Sequence, residues 1–178
     1  MTELQGKQTE NLLRNAVSGE AQAALLYDFF AKKARVEGFE EIADIFEETA
    51  INEKAHAKIY LNLLKCIRST GENLEAAAET EHHEAFVMYP EFAAAARAEG
   101  LEEVAKTFEM IGKIEARHEE RFRYYEKSLK NGSLFSKGME TEWICKNCGH
   151  WLTSTNAPEL CPVCKHPVGY FETVKKST

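Results

Sequence analysis

Glu115-Ala116-Arg117-His118 sets a carboxylate and an imidazole three residues apart, which on a helix puts them on one face. Glu53-Lys54-Ala55-His56 repeats the pair 62 positions earlier. Both pairs lie on apolar stripes of 3–4 spacing. One stripe is Ile42, Ile45, Phe46, Thr49, Glu53, His56, Ile59, Tyr60 and Leu63; the other is Val104, Phe108, Ile111, Glu115, His118, Phe122 and Tyr125. A charge on an apolar stripe is costly unless it is paired or bound to a cation.

The repeat extends well beyond these motifs. Residues 35–43 (RVEGFEEIA) match 97–105 (RAEGLEEVA), and Tyr27 matches Tyr89, Phe46 matches Phe108, at the same offset. Each half reads as an αα-hairpin, and two hairpins make a four-helix bundle of approximate two-fold symmetry. The periodicity predicts helices over about 5–37, 39–67, 73–99 and 101–130, with Asn73 as the N-cap of the third. The repeat slips once. Glu20 precedes Tyr27 by seven residues, whereas Glu81 precedes Tyr89 by eight. One extra residue that keeps both ends on the core face predicts a π-type turn between residues 81 and 92, next to Pro90.

After Asn131-Gly132-Ser133 a linker is expected to about residue 140, and from Trp143 cysteines and prolines replace helical periodicity. This predicts a helical domain over 1–138 and a small domain over 139–178. The 178 residues carry a formal charge of −7, which argues against non-specific nucleic-acid binding. There is no apolar run of membrane-spanning length and no signal-peptide pattern at the start, so no membrane association and a cytoplasmic location are expected. Five cysteines suit that compartment as metal ligands rather than disulfides.

Four helices then offer Glu20, Glu53 with His56, Glu81 with Glu84, and Glu115 with His118. Carboxylates and imidazoles together suit first-row metals. One Glu from each of two helices, plus Glu-x-x-His from each of the other two, is the ligand pattern of ferritin-like di-iron bundles. Glu84 is a seventh donor where six suffice. Tyr27 and Tyr89 face inward, where each phenol is expected to hydrogen-bond a metal-binding carboxylate. His82 and His83 read as exposed or as partners of the metal-binding residues, and Cys66 as a buried, inert thiol. Near the C-terminus, Cys145-Lys146-Asn147-Cys148 and Cys161-Pro162-Val163-Cys164 make two knuckles of a four-thiolate site. Spacing alone does not choose zinc or iron. The metal would supply folding free energy to so small a domain. Trp143, Trp151, Tyr170 and Phe171 are expected to cover the site; His150 and His166 are surplus to it.

Glu20, Glu53-x-x-His56, Glu81-x-x-Glu84 and Glu115-x-x-His118, followed by Cys145-x-x-Cys148 and Cys161-Pro-x-Cys164, together resemble the rubrerythrin family over the whole chain, including Met88-Tyr89-Pro90-Glu91-Phe92. The resemblance implies a mainly α fold, a ferritin-like antiparallel four-helix bundle followed by a small rubredoxin-like β/loop domain. It implies two iron ions in the bundle and one four-thiolate iron. It implies reduction of hydrogen peroxide to water, with electrons from NAD(P)H through a reductase or a small rubredoxin, in a head-to-tail homodimer. By the same resemblance Glu53 and Glu115 bridge the irons, Glu20 binds one, and Glu81 and His118 bind the other. His56 and Glu84 exchange at the first iron as it changes oxidation state. Two other readings compete: a ferroxidase or iron-handling ferritin-like protein, and a non-catalytic module whose zinc-loaded tail binds a partner.

Overall fold

The computed structural model describes residues 4–174. The chain divides into two compact units, residues 1–69 and 70–178.

The first unit is a helical hairpin of α1 (Gln8–Val36) and α2 (Glu40–Leu63). Its turn is closed by Gly38 at φ 85°, a value that favours glycine. There the Phe39 N–H donates to Ala34 O at 2.9 Å and the Gly38 N–H to Arg35 O at 3.0 Å. Arg35 then reaches across to α2, where it pairs with Glu47, with Asp44 at 3.1 Å and with Glu40 at 3.3 Å. Ala31, Ala34 and Ala43 form the buried cluster beneath, against Phe46. Small side chains let the two helices approach closely.

The helix ends depart from expectation here. α2 stops at Leu63 rather than 67, because Lys65 adopts a left-handed φ of 53° and the Cys66 N–H folds back on Leu61 O at 2.9 Å. Cys66 is therefore past the helix and exposed, not buried.

The second unit starts with α3 (Thr70–His83), three residues ahead of the expected N-cap Asn73. The chain continues through a π-helical turn (Glu84–Met88) into α4 (Tyr89–Ala98), then α5 (Glu102–Lys130). The π turn is where the repeat slipped: the Tyr89 N–H donates to Glu84 O, five residues back. Pro90 follows within the first turn of α4, where its missing N–H costs least. The turn into α5 copies the first hairpin. Gly100 has φ 79°, the Leu101 N–H donates to Ala96 O at 2.8 Å, and Arg97 pairs with Glu109 at 2.8 Å and Glu102 at 3.3 Å. Ala93, Ala96 and Ala105 are buried against Phe108.

The rest of this unit is a three-stranded antiparallel sheet of β1 (Ser136–Cys145), β2 (Trp151–Asn156) and β3 (Phe171–Thr173), in the order β2-β1-β3. β1 begins inside the segment expected to be linker, pairing Ser136 with Asn156 before an irregularity that ends at Thr141. Trp143, Cys145, Ala157, Cys161 and Phe171 form its core. The Trp143 Nε1–H donates to Ser154 O at 3.1 Å, so the buried indole keeps a partner. Trp151 and Tyr170 are 67% and 43% exposed; of the four aromatics expected over the knuckles, only Trp143 and Phe171 are buried. No helix among the described residues is long and apolar enough to cross a membrane.

Candidate metal centres

The two Cys-x-x-Cys segments fold as matching knuckles. In the first, the Cys145 N–H donates to His150 O and the Gly149 N–H to Cys145 O, both at 2.8 Å. In the second, the Cys161 N–H donates to His166 O at 2.8 Å and the Lys165 N–H to Cys161 O at 2.9 Å. The residue after each second cysteine is left-handed: Gly149 at φ 75° and Lys165 at φ 61°. His150 and His166 thus shape the loops through their backbones, which sequence reading had set aside. All four sulfurs lie within 4.8 Å of one another. Cys145 to Cys164 and Cys148 to Cys161 are each 3.7 Å between sulfurs, with no disulfide. A tetrahedron with metal–sulfur bonds of about 2.3 Å has edges of about 3.8 Å, so the cage matches a bound ion. The His166 backbone N–H lowers the Cys164 thiol to about 5. The His150 backbone N–H acts the same way on Cys148, but the neighbouring sulfurs and burial outweigh it and push that thiol up to about 12. Four sulfurs so close resist sharing four negative charges without a cation.

The helical donors form two trios. In the first hairpin, Glu20 from α1 meets Glu53 and His56 from α2, with ligand atoms all within 4.8 Å. His56 Nδ1 is 2.8 Å from Glu53 and 3.9 Å from Glu20. In the second unit, Glu81 from α3 meets Glu115 and His118 from α5 within the same limit. His118 Nδ1 is 2.6 Å from Glu115 and 3.6 Å from Glu81. The carboxylates are more covered than the imidazoles: side-chain exposure is 18% for Glu53 and 15% for Glu115, against 51% for His56 and 37% for His118. Burial, the Glu115 charge and a hydrogen bond with Glu115 raise the Glu81 carboxyl above the usual carboxylate range. Anionic oxygens gathered in partly buried positions are what a cation relieves.

Glu84 opens the π turn and is half-buried. It adds to the negative field on Glu81 and Tyr89 but stands outside the trio. Tyr27 packs on Phe30 and Phe46, and Tyr89 on Phe92 and Phe108. Burial, then Glu115, Glu84 and Glu81, raise the Tyr89 phenol. Among the described residues neither phenol makes the hydrogen bond to a carboxylate that was expected. His82 is exposed, 3.1 Å from Glu119 and against the Phe86 ring; His83 is exposed as well.

One participant had no sequence signal of its own. Gly112 on α5 is buried beside the π turn. A Cβ there would lie 3.2 Å from Tyr89 Cβ and 3.5 Å from Ala85 O. The wide turn brings its backbone against α5, so a side chain at this position would press on Tyr89.

Comparison with known proteins agrees with these two sites. The rubrerythrin family model matches residues 11–126, and the model of the rubrerythrin rubredoxin-like domain matches residues 143–172. The chain belongs to the rubrerythrin family. Among its relatives, rubrerythrin of Porphyromonas gingivalis is 43% identical over 97% of this chain and 92% of its own length. Rubrerythrin of Nitratidesulfovibrio vulgaris is 42% identical over 97% of both. A putative rubrerythrin of Methanocaldococcus jannaschii is 40% identical over 93% of this chain and 92% of its own. The fold class is accordingly mainly α, ferritin-like, with a rubredoxin-like β domain after it. The helical carboxylates and histidines fit a rubrerythrin-type di-iron site, and the sulfur cage fits an Fe(Cys)4 centre.

Proposed function

We propose that this rubrerythrin-family oxidoreductase is a non-haem peroxidase. It reduces hydrogen peroxide to water with electrons that a reductase, or a small rubredoxin, carries from NAD(P)H to the Fe(Cys)4 centre. The observation that carries the reading is the sulfur cage on the same chain as the carboxylate–histidine trios. A one-electron relay has a purpose beside a site that turns over, and none beside a site that only stores iron.

In this reading the two trios are halves of one di-iron centre. By the family resemblance Glu53 and Glu115 would be shared by the two irons, Glu20 would serve one, Glu81 and His118 the other, and His56 and Glu84 would be alternative ligands of the first. A more positive iron favours an added carboxylate, a ferrous one accepts neutral imidazole. When bound, the iron pair supplies the two electrons that, with two protons, convert H2O2 to two waters. The chain supplies the rest. Its carboxylates offset the metal charge, and the Tyr89 phenol, packed against Phe92 and Phe108, would give a proton to a peroxide oxygen. Tyr27 holds the equivalent place in the first hairpin. A head-to-tail homodimer, working in the cytoplasm, brings the Fe(Cys)4 centre of one copy toward the di-iron centre of the other.

The test is anaerobic reduction of the iron-loaded protein, then mixing with peroxide or with dioxygen. Oxidation that is fast with peroxide and slow with dioxygen is the expected result. Fast oxidation by dioxygen with growth of a ferric mineral would establish the ferroxidase reading instead.

A further inference from the structure

We infer that the flank of α5 bearing Arg117, Arg121 and Tyr124, together with Lys137 of β1, is where an acidic electron-carrier protein docks to reduce the Fe(Cys)4 centre. The inference rests on the reading that this centre relays electrons; what it adds is where they enter and the charge of the carrier that brings them.

The first observation is one of charge. The chain is acidic, at −7. Arg14, Arg35, Arg97 and Arg123 each pair with a carboxylate. Arg117 and Arg121 stand one turn apart on α5 and are exposed, and among the described residues neither pairs with a carboxylate. The Arg121 guanidinium lies over the Phe122 ring instead, at 5.7 Å. Lys137 also lacks a carboxylate partner among the described residues. Its Nζ donates to Ser133 O at 2.9 Å and lies 5.8 Å from the Tyr124 ring and 6.0 Å from the Trp143 ring.

Helix geometry turns these groups outward. At about 100° per residue, Arg121 stands about 60°, Arg117 about 100° and Tyr124 about 120° around α5 from His118. All three lie in the sense opposite to Glu115 and Glu119. Glu115 belongs to the donor trio, and Glu119 meets His82 of α3 at 3.1 Å. The basic flank therefore faces away from both the trio and α3.

The flank also leads to the sulfur cage. Arg117, Arg121, Tyr124 and Tyr125 line an open groove of about 630 Å³, with Glu120 as its carboxylate. The same two tyrosines line a second cleft of about 250 Å³ that holds Lys137 and ends on Trp143 and Phe171. Glu172 in that cleft is paired with Lys146 at 3.4 Å. Trp143 and Phe171 pack with Cys145 and Cys161 in the core of the β domain. A carrier seated on Tyr124 is thus joined to two of the four thiolates through Lys137 and Trp143.

Arginine and tyrosine are the side chains that protein interfaces favour. Cations without internal partners give up no ion pair when they meet a carrier's carboxylates. The negative remainder of the chain repels the same carrier, which steers it to this flank. A small contact, below about 1,200 Å², suits a redox encounter that must also release. Each encounter passes one electron: the carrier's reduced centre loses it, the ferric Fe(Cys)4 centre gains it, and no bond forms or breaks. Two encounters supply the two electrons for one peroxide.

Binding and reduction test the proposal separately. The iron-loaded full chain is titrated with an oxidised, acidic [2Fe–2S] ferredoxin by calorimetry, and mixed with the reduced ferredoxin in an anaerobic stopped-flow instrument. Wild type should bind more tightly and be reduced faster at low salt than at high salt. Arg117→Glu with Arg121→Glu should weaken binding and slow reduction about 10–100-fold at low salt, with most of the salt dependence gone. Arg117→Gln with Arg121→Gln should lose a smaller factor. Lys32→Glu, a charge reversal on the first hairpin, should change neither. Full iron content and complete bleaching by dithionite show that the variants hold their centres. Wild-type binding and rate in the double Glu variant, or a matching loss per charge in Lys32→Glu, would overturn the docking site. A fall of the double variant to a smaller oligomer would overturn it too, by making the flank an interface between copies. A wild type that ferredoxin neither binds nor reduces at any salt would overturn the inference, while the reading beneath it would stand or fall by the peroxide reaction of the dithionite-reduced protein.

Discussion

The two hairpins are alike at one end and different at the other. At the turn end the repeat is kept in detail. Tyr27, Phe30 and Phe46 have ring separations of 6.3, 6.1 and 5.5 Å, and Tyr89, Phe92 and Phe108 have 6.2, 6.1 and 5.5 Å. Arg35 and Arg97 span matching acidic partners, and three alanines lie beneath each. Toward the donor trios the likeness ends. α1 runs on as regular helix, whereas its counterpart widens into a π turn. Ala23 in the first hairpin is the repeat counterpart of Glu84, and buried Ala50 that of Gly112. The inserted residue, the added carboxylate and the missing methyl belong together. The wide turn carries Glu84, and Gly112 admits the wide turn. A hairpin can therefore hold its scaffold constant and alter its donor set with one inserted residue.

Removing the insertion should make the two hairpins alike. Deleting Val87 leaves Glu81 seven residues before Tyr89, the spacing of Glu20 and Tyr27, so the wide turn should close to regular helix with Glu81 still on the face of Glu115 and His118. The change falls on the wide turn that carries Glu84. The expected outcome is retained paired iron with an altered di-iron absorption and the Fe(Cys)4 spectrum intact, since the β domain has its own core. Loss of the iron pair would show that the eight-residue spacing itself is needed to place Glu81.

Exchanging the paired small residues should separate the hairpins by stability. Gly112→Ala gains helix propensity but forces a methyl against Tyr89 and Ala85, for a net loss of about 1–3 kcal/mol. Ala50→Gly should cost about 1 kcal/mol from propensity. Urea unfolding of the metal-free protein measures both. A stabilising Gly112→Ala would mean that the turn does not press on α5.

The smallest effect is one in which the hairpins should agree. Hydrogen bonds from Arg35 and Arg97 hold the Glu47 and Glu109 carboxyls below the usual carboxylate range. A carboxyl depressed by folding stabilises at pH above its unfolded value of about 4.3 and loses that contribution as pH falls through the folded value. Thermal melts of the metal-free protein from pH 6 toward pH 3, roughly that window, should fall less steeply in Arg35→Gln and in Arg97→Gln, and by similar amounts. Unequal changes would extend the asymmetry to the turn end.

Much of this was legible in the chain itself. The repeat offset and the Glu-x-x-His pairs gave the hairpins and their trios, because periodicity and ligand spacing are local properties. The π turn was legible too, from one residue too many between Glu81 and Tyr89. The helix ends flanking the connection were not. Nothing in Leu64-Lys65-Cys66 marks a left-handed lysine, and Thr70-Gly71 reads as a break although α3 begins there. That misreading lengthened α2 and hid Cys66 in a core it never enters. Gly112 was overlooked because its reason is a contact with Tyr89 and Ala85, 23 and 27 positions away. Ser136–Glu140 looked like linker because its glycine and serine mask a strand that pairs irregularly.

The central claim of the proposed function is that Glu84, added in the second hairpin, exchanges with His56 of the first as the iron changes oxidation state. Glu84→Ala, which restores the residue type of the first hairpin, tests it most directly. The variant and wild type are loaded with iron, reduced anaerobically and mixed with hydrogen peroxide in a stopped-flow instrument, with the di-iron and Fe(Cys)4 bands followed together. The account predicts full iron content in the variant and oxidation by peroxide slowed about 10–100-fold. Equal rates in the two proteins would contradict it.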